Sequence, residues 1–135
     1  MTESKQKKVL VLEDERQLAM AVRDALVERN FQPIVVQTIT DGLTQLESLG
    51  GVDVIWLDHY LLGTGSGLDF VVKVKNNPKW QQIPIFVVSN TASDGNVRAY
   101  IQLGVNSYYT KADYNIMQII DDIEYSLQNE VGEIN

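Results

Sequence analysis

The sequence predicts an α/β fold: a doubly wound five-stranded parallel sheet of the (βα)5 type, with strands in the flavodoxin-like order 2-1-3-4-5. Two observations carry this expectation. Short apolar runs alternate with helical periods five times along the 135 residues. Three of those runs, at 9–12, 54–57 and 85–88, are apolar at nearly every position, as strands are when helices cover both faces of their sheet. Right-handed crossovers leave few ways to wind such units, and 2-1-3-4-5 is the commonest order for five strands.

Val9, Leu10, Val11 and Leu12 form the first strand, which stops at Glu13, Asp14 and Glu15. Leu18, Val22, Ala25 and Leu26 then recur on one helical face. Pro33 opens the second strand, 34–36, and Thr40 is placed to cap a helix carrying Leu43, Leu46 and Leu49 that ends at Gly50 and Gly51. The third strand, 54–57, ends in Asp58. After a glycine-rich loop, Leu68, Val71 and Val72 begin a helix that stops before Pro78. Strand 4 comes after Pro84, and Val97, Ile101, Tyr100 and Leu103 supply a fourth helix. Residues 107–110 read as a short fifth strand, and Ile116, Ile119, Ile120, Ile123 and Leu127 make the last helical stripe.

Composition bounds the function. A chain of 135 residues with 44% hydrophobic content makes one domain and buries one core without staples: 1–7 read as a tail and 8–128 as the folded part. There is no cysteine, hence no disulfide, and with the single histidine, His59, a structural zinc site lacks ligands. The net charge of −7 disfavours sequence-independent nucleic-acid binding, whose basic footprint is missing; Lys5, Lys7 and Lys8 sit in the tail. No apolar run approaches the roughly 20 residues that span a bilayer and no signal-like start is present, which points to the cytoplasm and away from membranes.

In open sheets of this kind the reactive crevice lies beyond the carboxyl ends of the strands. Those ends deliver Glu13 and Asp14, Asp58, Ser89 and Lys111. Close carboxylates raise one another's pKa unless a hard cation neutralises them, and oxygen ligands suit Mg²⁺. A carboxylate relieved in this way can attack phosphorus, with Lys111 and Ser89 supplying a charge and a hydroxyl to the transferring oxygens. Taken singly, each residue has a plainer explanation. Residues 13–15 could be first-turn carboxylates near a helix dipole, Ser89 a cap and Lys111 a surface charge. Their convergence on one rim is what favours a site.

With "VLVLEDE", "VIWLD", "IFVVSN" and "GVNSYYTKAD" in that order, the chain resembles the receiver domain of two-component response regulators from Lys8 to about Gln128. The resemblance implies that Asp58 is the phosphoacceptor and that Mg²⁺ is held by Asp14 directly, Glu13 through water, Asp58 and the main-chain carbonyl of Tyr60. Ser89 and Lys111 would bind phosphoryl oxygens, and Ser89 with Tyr108 would form the switch. It also implies phosphoryl transfer from a histidine kinase or histidine phosphotransfer protein, and a downstream protein met by the helix 4, strand 5 and helix 5 face, with Tyr100, Tyr109 and Tyr125 as aromatic anchors. A homodimer is left open as a further partnership, with no face assigned to it. Such a module catalyses its own phosphorylation and dephosphorylation without a separate turnover substrate. The sequence departs from the usual pattern at Tyr60, at Leu62 in a longer loop, at Asn90, and at Ala112, where a cis bond to Lys111 would cost about 3 kcal/mol and a trans peptide is therefore expected.

Other readings fit less well. Gly63, Gly65 and Gly67 come after strand 3, not strand 1, and fail the dinucleotide fingerprint. A haloacid-dehalogenase-type phosphatase needs a second aspartate where Tyr60 stands, and a flavodoxin would face FMN phosphate with residues 13–15. A degenerate receiver binding partners without phosphorylation is the alternative function. His59 is expected to face solvent, Met20 and Met117 to fill the core, and Tyr108 and Tyr109 to point one inward and one outward.

Overall fold

The computed structural model describes residues 6–61, 65–90 and 94–132; most of the expected tail, together with Leu62 and Gly63, lies outside them. The strands β1 (Lys7–Leu12), β2 (Phe31–Val36), β3 (Val54–Leu57), β4 (Ile85–Ser89) and β5 (Ser107–Thr110) form one sheet in the order β2-β1-β3-β4-β5. Every pairing is parallel, as the predicted architecture requires. The helices are α1 (Arg16–Glu28), α2 (Ile39–Leu49), α3 (Gly67–Lys75), α4 (Asp94–Gln102) and α5 (Ile116–Gly132).

Because side chains alternate across a strand, the continuous apolar runs feed two cores at once. Leu10, Leu12, Ile55, Leu57, Ile85 and Val87 pack with Leu46, Phe70, Val71, Val74 and Tyr100 from α2, α3 and α4. Val9, Val11, Val54, Trp56, Phe86 and Val88 pack with Val22, Leu26, Ile119, Ile120 and Ile123 from α1 and α5. The register sets Leu12 beside both Val36 and Leu57, and Leu57 beside Val87. β1, β2 and β3 therefore end level while β4 and β5 run two residues further, and the residues at these ends share one rim.

Local expectations fail where a side chain's surroundings matter more than its type. The second strand begins at Phe31 and runs through Pro33, which an edge strand tolerates. Thr38, not Thr40, caps α2: its hydroxyl accepts from the Asp41 amide at 3.0 Å, while Thr40 lies inside the helix. Gly50 closes that helix in the left-handed region, φ 72°. Met20 and Met117 are exposed. Tyr109 is buried on the α1/α5 side and Tyr108 half-buried on the other, so neither points simply outward. No cis peptide occurs among the described residues, so Lys111–Ala112 is trans.

Candidate functional site

Two main-chain hydrogen bonds carry the sheet register one residue past its strands: the Glu13 amide donates to the Val36 carbonyl and the Asp58 amide to the Leu12 carbonyl, each at 3.0 Å. They seat Glu13 and Asp58 side by side. Glu13 is fully buried, Asp58 nearly so and Asp14 half-buried. Carboxylate oxygens of Glu13, Asp14 and Asp58 lie within 4.8 Å of one another. From the far side, the Lys111 Nζ reaches 3.1 Å from Glu13 Oε1 and 3.6 Å from Asp58 Oδ2. The Lys111 amide donates to the Ser89 carbonyl at 2.8 Å, which ties the end of β5 to the end of β4.

These contacts are unequal to the charge they enclose. Burial pushes the Asp58 carboxyl up to about 7, and the neighbouring Glu13 adds to the rise. Lys111 and the Tyr60 amide, 3.4 Å from Oδ1, only partly oppose it, and Asp14 raises it further. The residues thus fit a hard divalent cation: three oxygen-donor groups converge, and one, buried beside another carboxylate, holds its proton more tightly than an ordinary carboxyl. Ser89 is fully buried at the end of β4, beside Asp58 on one side and Lys111 on the other in strand order. Tyr60 is exposed, with its ring edge-on to His59 at 4.5 Å.

The sequence profile of the response regulator receiver domain family matches residues 9–124. The chain belongs to that family. The phosphate regulon transcriptional regulatory protein PhoB of Klebsiella pneumoniae is 29% identical to this receiver over 105 residues, which make up 78% of this chain and 45% of that protein. The chain thus matches less than half the length of this relative. A CheY-like response regulator receiver domain protein from Methanospirillum hungatei superposes with a TM-score of 0.84 over 95% of this chain and 98% of its own, at 18% identity. The Mn²⁺-bound form of response regulator Rcp1 gives 0.76 over 87% and 91%, at 23% identity. At these identities the two structures establish the fold. No helix among the described residues is long and apolar enough to cross a membrane.

Sequence reasoning missed one constellation of this receiver. His59, expected in solvent, is only 6% exposed. Its Nδ1 lies 2.7 Å from the Tyr100 hydroxyl and its Nε2 3.3 Å from Asn96 Nδ2. Burial holds its pKa below the usual histidine value, favouring the neutral ring. Tyr100 is wholly buried and Tyr109 nearly so, so neither is a surface anchor; of the three expected tyrosines only Tyr125 is well exposed. Period-3.6 spacing puts Tyr100 on an apolar helix face, but nothing in it says which loop that face meets.

Proposed function

We propose that this receiver is the phosphoacceptor module of a two-component relay and that Asp58 takes the phosphoryl group from a phosphohistidine donor. The carrying observation is the closed set Glu13, Asp14, Asp58 and Lys111, in which the lysine ammonium sits 3.6 Å from an aspartate whose charge it only partly compensates. Family membership supports the same reading. A Mg²⁺ ion held by Asp14, Asp58, Glu13 and the Tyr60 carbonyl would supply the positive charge that keeps Asp58 ionised and neutralises phosphoryl oxygens.

Asp58 presents a carboxylate oxygen to phosphorus; the new O–P bond forms as the P–N bond breaks, and the electron pair leaves with the donor's imidazole. Lys111, already beside Asp58, turns its charge to the transferred oxygens, and Ser89 supplies a hydroxyl donor. The product carries roughly two more negative charges into an acidic rim. Ser89 is then drawn toward the phosphoryl group and Tyr108 moves after it, which alters the surface of α4, β5 and α5. On that surface Ile101 and Tyr125, 54% and 67% exposed, offer large apolar groups to a downstream protein. The donor is a histidine kinase or a histidine phosphotransfer protein.

Incubation with acetyl phosphate or beryllofluoride and Mg²⁺, read by mass spectrometry, tests the reading. Wild type is expected to gain one adduct, hydroxylamine-labile for the phosphoryl form, and Asp58→Asn none. Asp14→Ala is expected to lose the Mg²⁺-dependent change in fluorescence of Trp56, two residues before Asp58. Equal adducts in wild type and Asp58→Asn would refute the proposal.

A further inference from the structure

We infer that His59 is a positioning residue that couples the state of Asp58 to helix α4 through its hydrogen bonds to Tyr100 and Asn96. The inference rests on Asp58 being the phosphoacceptor and adds a route by which its modification is transmitted.

His59 is bonded directly to Asp58, and its carbonyl accepts from the Gly67 amide at 3.0 Å. The peptide is therefore held between the end of β3 and the first residue of α3, while the imidazole reaches α4. Both ring nitrogens engage that helix, Nδ1 with Tyr100 at 2.7 Å and Nε2 with Asn96 at 3.3 Å. Asn96 and Tyr100 are four residues apart and so share one face of α4. The Asn96 amide nitrogen against Nε2 fits the tautomer in which Nε2 accepts and Nδ1–H donates to the tyrosine oxygen. With His59 6% and Tyr100 0% exposed, water is not available to replace the bond between them, while the Asn96 contact is part-buried. Breaking the His59–Tyr100 bond leaves buried polar atoms unpaired, so α4 moves with the imidazole more readily than away from it.

Tyr100 also bears on the other proposed element of the switch. Its ring centroid is 5.6 Å from His59, edge-on, and 5.7 Å from Tyr108, tilted by 46°. The three rings form a chain from the phosphoacceptor's neighbour to strand β5. Tyr108 cannot move toward the interior on that side without shifting a tyrosine that is itself fastened to His59. The hydroxyl is closely fitted as well: a side-chain carbon at Gly67 would overlap Tyr100 Oη and would meet the Asp58 carbonyl at 3.1 Å. The absence of a side chain at 67 lets helix α3, the Asp58–His59 peptide and the α4 tyrosine meet. Movement at Asp58 therefore reaches α4 by hydrogen bonds as well as by the packing of Tyr108.

Tyr100→Phe keeps the ring and removes the hydroxyl. Backbone amide shifts of residues 94–102, recorded before and after beryllofluoride with Mg²⁺, are expected to change in wild type and to lose about fivefold or more of that change in Tyr100→Phe. Adduct formation at Asp58, read by mass, is expected to be equal in the two proteins. His59 is the only histidine in the chain, so its ring ¹⁵N resonances are unambiguous. In wild type they are expected to shift in step with the α4 amides. An undiminished α4 response in Tyr100→Phe overturns the coupling and leaves the phosphoacceptor reading standing. Absence of an adduct in wild type overturns both. If Tyr100→Phe does not fold, the wild-type ring signals decide: α4 amides that shift while the His59 nitrogens do not also overturn the coupling.

Discussion

The two faces of the sheet bury the same kinds of aliphatic side chain but fasten their helices differently. On the α1/α5 face the polar ties lie toward the surface: Arg29 bridges from the end of α1 to Asp121 and Glu124, each at 2.8 Å, and the Tyr109 hydroxyl donates to Asp122 at 2.7 Å. On the opposite face α4 is tied from within, by His59 to Tyr100 and Asn96, one residue along the chain from Asp58. Surface ties can be broken and water will solvate the ends; the buried His59–Tyr100 bond has no such substitute, and it begins at the residue next to Asp58. The difference separates a face tied mainly at its surface from one tied, through Tyr100, to the residue that follows Asp58.

Five substitutions set the two faces and the rim against one another. The largest effect on stability is expected from Leu26→Ala on the α1/α5 face, where Leu26 is fully buried: truncation should cost about 2–5 kcal/mol by urea denaturation. It should leave the α4 response to beryllofluoride intact. Asp58 itself comes next. Its raised pKa means that the folded state favours the acid form, so this contribution is whole below pH 3.8 and is lost as pH rises through about 7. Without metal, wild type should therefore lose stability across that window, on the order of 1–3 kcal/mol after allowance for screening, while Asp58→Asn stays flat. Added Mg²⁺ should restore wild type above pH 7 and do little for the variant.

Gly67→Ala probes the buried tie. The added methyl meets Tyr100 Oη, and overpacking of this kind costs about 1–3 kcal/mol. Combination with Tyr100→Phe should recover part of the loss, because the hydroxyl is gone; strict additivity in this double-variant cycle would mean the two residues do not interact. Smallest of all is Arg29→Ala. Its bridges are screened by salt, and any drop in melting temperature at low ionic strength should vanish near 1 M, where the Debye length is about 3 Å.

The sheet and the rim were legible in the sequence for one reason: both depend on period and order alone. Unbroken apolarity at 9–12, 54–57 and 85–88 specifies two covered faces, and the residue after a strand must lie at its end, so Glu13, Asp14, Asp58, Ser89 and Lys111 could be placed from order alone. The features that stayed hidden depend on which elements meet. Tyr109 reads as half of an alternating pair, yet even at the edge of the sheet both faces of β5 are covered, and Asp122 of α5 accepts from its hydroxyl. His59 reads as a loop histidine until α4 is laid across it. Met20 and Met117 have the right type for a core, but their helices turn other residues inward.

The central claim, that Asp58 is the group that carries the phosphoryl, is tested most directly by locating the modified atom. Protein treated with acetyl phosphate and Mg²⁺, then reduced with borohydride, converts an acyl phosphate on aspartate into homoserine, which peptide sequencing by mass spectrometry reads residue by residue. Homoserine at position 58, present only after phosphoryl donor and Mg²⁺ and absent when Lys111 is replaced by Ala or strongly reduced there, is the expected result. Conversion at Asp14, an equivalent reduction product at Glu13, or a phosphoryl group found on His59 with position 58 unchanged would contradict the account.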